Sequence, residues 1–563
     1  MKRDLRELSS RQFDVVVIGG GIHGALTAWD ATLRGLSVAL IERGDFGGAT
    51  SQNSLKIIHG GLRYLQDGNL ARIRTMARER TTWMKIAPHL IHPLPCLTPT
   101  YPKLTRSQLA MKVALTLNDL ISFDRNQLID PEKFLPAGAI ISSEECVQLL
   151  PGIDSNGMTG AAVWHDAQVY NSERLLLEFI ISTAGTGATM ANYVEATGLI
   201  QHENTVIGVR ARDNLSGQIF DIQSKMVINC AGAWIDCLLE STGKMTKPRF
   251  AASVAMNLIT DQVWKGHAAG LPSQPARRRG RNKDKRSQLL FIVPWRDKSM
   301  IGTWHIPWPS QSPDAFQVTD EIVQEFIDEV NSADPSLELT LDNIQHVNWG
   351  FLPVESRAGK NDLLKLVRDG QVINHLKEDG IQGLISLVAV KFTTARVMAE
   401  KAVNLAVKQL NLIGMPCRTH LTPIRGGQIE NFNKFLKGAF DKAPRGLSPE
   451  IIKHLAYTYG SEYESILNYM TNQPELGETV AEDSPVIKAE IVHAVRCEMA
   501  QTLRDVIQRR TELGATGLPS MTTLRNCASL MGSELGWSIE RQHQEIDSVI
   551  QAYPFKPMER VTA

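Results

Sequence analysis

Three glycines near the start of the chain, Gly19, Gly21 and Gly24, fall in the pattern G-x-G-x-x-G. The first permits a tight turn, the second lets a pyrophosphate approach the backbone, and the third lets a following helix pack closely on a sheet. The free N–H groups and positive dipole end of a helix beginning at Ile22 would then hold the phosphates of a dinucleotide. Glu42 lies about twenty residues further on, where a carboxylate accepts hydrogen bonds from a ribose diol and repels a 2′-phosphate. A second group, His59-Gly60-Gly61-Leu62-Arg63-Tyr64, concentrates an imidazole, a guanidinium and a phenol in a way unusual for a plain turn. His59 is the first candidate base, since an unperturbed imidazole titrates near working pH. Arg63 offers a planar fork of donors and, with Tyr64, could orient a phosphate or a hydroxyl. Lys391 could add positive charge. Plainer roles stand beside these: a buried imidazole satisfied by a backbone carbonyl, loop-bonding side chains at 63 and 64, and a solvated lysine at a strand end.

These groups need a frame, and the sequence supplies one. Residues 14–18 are a short β-branched run, a helix is expected from Ile22, and residues 37–41 read as a second strand ending at Glu42. Strand, turn, helix, strand and acid in that order make dinucleotide binding specific where three glycines alone would not be. Further along, 70–84 is an amphipathic helix and the proline-rich stretch 88–102 a loop, followed by an irregular and helical excursion over 100–150. A helix over 174–184 and a strand over 189–198 follow. Residues 206–212 and 218–222 form a hairpin turning at 213–217, and 226–234 is a further buried strand ending in small residues. Strands are expected at 289–293, 300–303 and 384–394, and a helix at 396–410. Residues 444–449 read as a linker, and the chain from Ile451 onward is mostly helical.

The composition is that of an ordinary globular protein of 563 residues, enough for two to four domains. Basic and acidic residues number 60 each, so no global field points to nucleic acid. The seven cysteines lack C-x-x-C spacing and read as reduced core thiols, with no zinc site expected. The N-terminus lacks the apolar core of a signal peptide, and no apolar run approaches the eighteen or so residues of a membrane span. An intracellular, cytoplasmic protein is expected, and any membrane contact would be peripheral. The run 277–286 carries seven bases against one acid, either a solvated loop or a contact with anionic lipid headgroups.

The glycine turn, the Ala49-Thr50-Ser51 loop and the I-H-G-G-L-R-Y-L segment together resemble the FAD-dependent glycerol-3-phosphate dehydrogenases and oxidases of the D-amino-acid-oxidase-like superfamily. The resemblance continues at residues 87–90 and into a C-terminal helical segment, 494–511, that the wider superfamily does not share. It implies an α/β fold: a discontinuous FAD-binding Rossmann-like domain over 1–440, an inserted α+β substrate domain at approximately 85–150 and 245–345, and a helical domain over 441–563. FAD would lie against Gly19, Gly21, Gly24, Glu42, Thr50 and Ser51. The strand ending near Gly232 would meet its adenosine half, and the turn bearing Lys391 and Thr393 its ring and ribityl chain. The implied reaction is oxidation of sn-glycerol 3-phosphate, a phosphorylated polyol, to dihydroxyacetone phosphate by hydride transfer to flavin. His59, Arg63, Tyr64 and Lys391 would be catalytic, and electrons would pass to a quinone or another acceptor. No nucleic-acid or metal role is implied; a homodimer and a peripheral place on the cytoplasmic face of a membrane are both compatible with it.

The chain departs from the family pattern at three places. Gly350-Phe351-Leu352-Pro353-Val354 stands where the family has G-V-R-P-L, so leucine replaces an arginine expected to hold substrate; Arg357, Arg368 or His305 would have to compensate. Ala389-Val390 replaces paired glycines, and Gly302-Thr303-Trp304-His305 replaces G-T-T-D. Two other readings therefore stay open: a divergent flavin oxidoreductase acting on a different hydroxy or amino compound, and a flavin-binding protein without catalysis.

Overall fold

The computed structural model describes residues 1–127, 129–240, 249–273, 288–308, 316–355, 367, 369–412 and 415–553. The basic run 277–286 lies outside the described residues, as do Arg357 and Arg368.

The strand Gln12–Ile18 is central in an eight-stranded sheet, paired in parallel with Val38–Ile41 on one side and Ile219–Asn229 on the other. Leu384–Val388 extends the parallel set beyond Ile219–Asn229, and Thr189–Ala191 extends it beyond Val38–Ile41. The unbroken apolar run follows from burial on both faces. Val15 and Val17 face a core shared with the helices Ile22–Leu33, Ser172–Gly185 and Ala395–Gln409, while Val16 and Ile18 face a second core on the opposite side. The helix Leu70–Ile86 is held to Ala395–Gln409 by a buried ion pair between Glu79 and Arg396.

A nine-stranded, mostly antiparallel sheet stands beside the first. It takes the strands Phe250–Asp261, Ala268–Ser273, Gln288–Trp295, Lys298–Trp308 and Ile344–Glu355, together with Ile57–Ile58, Ile91–Thr100, Ala139–Ile141 and Gly160–Val169. The C-terminal region is largely helical from Phe432 to Gln551, and the expected linker 444–449 falls in the turn between the helices Phe432–Asp441 and Pro449–Tyr459 except for its last residue, which begins the second helix.

Several expectations change. The proline-rich stretch expected as a loop contains the ten-residue strand Ile91–Thr100, paired along its whole length with Gly160–Val169. Its prolines, Pro93, Pro95 and Pro99, occupy alternate positions, so the missing N–H groups share one edge and the other edge stays competent to pair. The strand expected over 189–198 is two strands, Thr189–Ala191 and Val194–His202, broken at Tyr193 with φ of 57°. The segments 218–222 and 226–234, expected as separate strands, are one, Ile219–Asn229, whose first half pairs with Thr205–Asp213 and whose second half joins the parallel core. The strand expected over 384–394 ends at Val388, leaving 389–394 as a turn into the helix Ala395–Gln409.

Candidate active site

Strand, turn and helix at the N-terminus place the glycines as their spacing predicts. Gly19 adopts φ of 102°, a left-handed conformation that disfavours any side chain, and a Cβ on Gly24 would lie 1.8 Å from the Gly19 carbonyl oxygen. Gly21 differs: among the described residues a Cβ there would meet only Ser51 Oγ, at 3.2 Å. The first turn of the helix is closed by Ile22 N donating to Ser51 Oγ over 3.0 Å. Glu42 is half-buried and accepts from the backbone N–H groups of Gly20 (2.7 Å) and Gly44 (2.9 Å). Burial outweighs these bonds and raises its carboxyl above the usual range.

Lys391 and Thr393 lie beyond the end of Leu384–Val388, and Gly232 beyond Ile219–Asn229. The glycine turn and Glu42 follow the two neighbouring strands, so all these residues leave the same edge of the parallel sheet. That crevice is where open α/β sheets bind ligands.

The second cluster comes to this edge through the short strand Ile57–Ile58, which pairs with Gly160–Val169 of the other sheet. His59 N donates to Thr393 Oγ1 over 3.1 Å, and the Thr393 carbonyl is fixed in turn by Trp83 Nε1 at 3.0 Å. The His59 ring lies with Nδ1 3.5 Å from Asp166 Oδ2; its side chain is 40% exposed and that of Asp166 only 5%, so the imidazole faces a space that substrate can enter while its partner stays dry. Asp166 also accepts from Gly60 N (2.5 Å), Arg80 Nη1 (2.9 Å) and Trp164 Nε1 (3.3 Å). Burial alone would raise its pKa, but the contacts with His59, Arg80 and Gly60 bring it down to about 2. The paired glycines have separate reasons: a Cβ on Gly60 would meet Arg80 Nη1 at 2.1 Å, and Gly61 adopts φ of 94° at the start of the 3-10 turn Leu62–Asp67.

Tyr64, on that turn, is held between two cations, with Lys391 Nζ 4.4 Å and Arg72 Cζ 4.8 Å from the ring centroid. Arg63 is exposed on the same turn. Thr50 is turned toward the antiparallel sheet, its hydroxyl donating to the Phe351 carbonyl over 2.8 Å. That contact also brings Gly350 against the loop, since a Cβ there would lie 2.8 Å from Thr50 Cα. Leu352 is half-buried on the strand Ile344–Glu355 and His305 half-buried on Lys298–Trp308.

The expected residues thus form two groups on one sheet edge: Gly19, Gly21, Gly24, Glu42 and Ser51, and His59, Tyr64, Lys391 and Thr393. Asp166 and Arg80 complete the second group and were not read from the sequence, where each sits in an unremarkable strand or helix; only the pairing of Ile58 with Ala167 brings Asp166 to His59.

The residues present fit a dinucleotide. Among the described residues, a Cβ on Gly21 would meet only Ser51 Oγ, His23 Nε2 is buried in the first helical turn without a protein partner, and Gly232, at φ of 60°, has nothing within 4 Å of a built Cβ. Burial drives the His23 imidazole down to about 4, so it stays neutral. Among the described residues, no cluster of His, Cys, Asp and Glu could hold a metal ion.

Comparison with known proteins agrees. Residues 14–381 match the family described as FAD dependent oxidoreductase, and residues 417–542 match the C-terminal domain of alpha-glycerophosphate oxidase. A glycerol-3-phosphate dehydrogenase from Synechocystis sp. is 33% identical over 562 residues, spanning 98% of this chain and 97% of that protein. The mitochondrial glycerol-3-phosphate dehydrogenase of Mus musculus is 30% identical over 95% of this chain and 72% of its own length. The X-ray structure of the glycerol-3-phosphate dehydrogenase from Bacillus halodurans complexed with FAD has the same fold, with a TM-score of 0.74 at 24% identity over 97% of this chain and 95% of that one.

Proposed function

Since this chain belongs to the FAD dependent oxidoreductase family and carries the C-terminal domain of alpha-glycerophosphate oxidase, we propose that it oxidises sn-glycerol 3-phosphate to dihydroxyacetone phosphate. Bound FAD supplies the hydride acceptor. Gly19, Gly21, Gly24, Ser51 and Glu42 would hold its dinucleotide portion, with Gly232 beside it, and Lys391 and Thr393 would serve its ring.

His59 takes the hydroxyl proton. Asp166, facing Nδ1, keeps a proton on that nitrogen and leaves Nε2 as the acceptor, and its ionised carboxylate steadies the imidazolium that forms. Arg63 and Lys391 supply positive charge for the phosphate dianion, and Tyr64, fixed between Lys391 and Arg72, shapes the wall they share. The observation that carries this reading is the His59–Asp166 pair bonded to Thr393 at the same sheet edge as the glycine turn. Anaerobic titration tests it: glycerol 3-phosphate should bleach the yellow holoprotein. Bleaching only by another hydroxy or amino compound would install the divergent oxidoreductase, which Leu352 favours. A spectrum unmoved by a broad panel would leave a flavin-binding protein without catalysis.

We place the electron acceptor, a quinone, at a membrane surface that the protein meets peripherally. No helix among the described residues is long and apolar enough to cross a membrane. The helix Gln108–Ile121 instead turns Leu109, Val113, Leu117 and Leu120 outward, flanked by Leu104 (90% exposed) and Phe123 (77% exposed). Lys103, Arg106 and Lys112 accompany this face, with no acid between Lys103 and Asn118, a pairing of apolar and basic groups suited to an anionic bilayer. Leu109→Glu with Leu117→Glu should shift the protein from the floating to the soluble fraction in liposome flotation, and an unchanged distribution would reject the surface.

A further inference from the structure

The loop that carries Thr50 and Ser51 is held from outside the flavin domain. Asp45, at its start, is fully buried and accepts from two consecutive arginines of the C-terminal region. Arg510 grips it as a fork, Nη1 to Oδ2 at 2.6 Å and Nη2 to Oδ1 at 2.7 Å, and Arg509 Nε adds a bond to Oδ2 at 2.5 Å. Asn192 Nδ2 fills the remaining place at 3.0 Å. Arg509 reaches further along the loop to Gln52 Oε1 (3.2 Å) and back to Asp505 Oδ1 (2.8 Å). Tyr193 closes the arrangement, its hydroxyl donating to Asp505 at 2.6 Å and its backbone N–H to the Gly44 carbonyl at 2.7 Å. The loop is therefore gripped at Gly44, Asp45 and Gln52. Between those points it makes its own contacts with the glycine turn, Gly47 N donating to the Gly20 carbonyl at 3.0 Å and Ser51 Oγ accepting from Ile22 N at 3.0 Å.

Two features argue that this cluster serves geometry rather than bulk stability. Two acids and two bases are almost wholly removed from water, and desolvation of such groups consumes much of their mutual attraction. What a bidentate fork adds is fixed direction and distance. The arginines also lie on a five-residue π-helix, Val506–Arg510. On a regular α-helix, adjacent residues do not face one partner, and the wider turn lets both guanidiniums converge on Asp45.

We propose that Arg509 and Arg510 are positioning residues for the cofactor: acting through Asp45 and Gln52, they set the loop that presses Ser51 onto the first turn of the phosphate-binding helix, so the C-terminal helical region is part of the FAD-holding apparatus. The proposal rests on the FAD reading above. Burial would raise the Asp45 carboxyl, but the two guanidiniums hold it far below the ordinary range, so the clamp stays charged at any working pH.

The test is the FAD dissociation constant of apoprotein, read by quenching of flavin fluorescence, beside the circular dichroism and melting temperature of the same apoprotein. Arg510→Lys keeps the charge and removes the fork, and should weaken FAD binding about ten- to a hundredfold. Gln52→Ala, on the half-buried far end of the loop, leaves the ion cluster whole and should weaken it roughly threefold or more. A role confined to stability predicts the opposite pattern, a lower apoprotein melting temperature with wild-type FAD affinity in the folded fraction, and that result overturns the proposal. If Arg510→Lys fails to fold, Gln52→Ala decides alone: wild-type affinity there is equally fatal. Wild type that takes up no FAD would remove the premise itself, an outcome distinct from tight binding that the variants leave unchanged.

Discussion

Replacing Asp166 by asparagine tests the proton-transfer arrangement most directly, because the change keeps shape and removes one charge. Asp166 uses Oδ1 for Gly60 N and Arg80 and Oδ2 for Trp164 and His59. An asparagine can accept on one side only. Whichever way its amide turns, an NH2 group faces donors, and if that side is His59 the imidazole must carry its proton on Nε2 and can no longer take one from substrate. A charge-assisted hydrogen bond contributes about 1.5–3 kcal/mol, so the limiting rate of flavin reduction should fall roughly ten- to a hundredfold at the least. The flavin content should hold, since Asp166 touches none of the glycine-turn residues. Arg80 loses its counter-ion in a buried site, and breaking such a pair costs about 3–5 kcal/mol of stability; melting curves must therefore accompany the kinetics. The assay is anaerobic stopped-flow reduction by glycerol 3-phosphate of wild type, Asp166→Asn and His59→Gln. A folded, flavin-loaded Asp166→Asn protein reduced at the wild-type limiting rate would refute the assignment of His59 as the oriented base.

Three further outcomes are expected. Gly21→Val should abolish FAD retention while leaving the melting temperature of the apoprotein nearly intact, because among the described residues a Cβ there would meet only Ser51 Oγ, at 3.2 Å; stoichiometric flavin in the purified variant would contradict this. Leu352→Arg should tighten glycerol 3-phosphate binding about ten- to a hundredfold if the pocket lacks a phosphate-holding cation at that position, and titration of flavin bleaching that finds no gain would point to a pocket rebuilt for another substrate. His454 is buried between Glu490 (2.9 Å) and Glu512 (3.4 Å); burial lowers its pKa, but the two carboxylates more than offset this and raise it to about 10. Its folded value lies above the unfolded value of about 6.5, so its stabilisation is complete below that pH and is lost as pH rises through about 10. Melting temperature should therefore fall more steeply over that window in wild type than in His454→Gln, and parallel curves would exclude the linkage.

What the sequence made legible is what local spacing encodes. The G-x-G-x-x-G turn, the strand buried on both faces and Glu42 all lie within thirty residues of one another, and each signal is a run, a period or a fixed offset. The strand Ile91–Thr100 was hidden because three prolines signal a loop when counted, and permit a strand only when their alternate placement is set against a partner. Tyr193 ends one strand and begins another through a left-handed backbone that no propensity marks at a tyrosine.

Asp166 illustrates the harder limit. A single aspartate in the run Trp164-His165-Asp166-Ala167 carries no periodic or motif signal, and the bond it accepts from Gly60 spans 106 residues. The same holds at Asp45, whose bonds to Arg509 and Arg510 span 464 and 465 residues. In both cases an arginine, a carboxylate and a glycine or loop residue meet only where two separately legible elements dock. The chemistry of each partner is readable in isolation; the pairing is a property of the docking. This is why candidates for contact with cofactor and substrate could be named from the sequence, while those proposed to orient them, Asp166 behind His59 and Arg510 behind the 44–52 loop, emerged only with the fold. A search for such positioning groups should therefore begin from buried charges whose partner lies on another sheet or domain, because a buried ion pair contributes little net stability and its retention across a docking seam points to a geometry that the site requires.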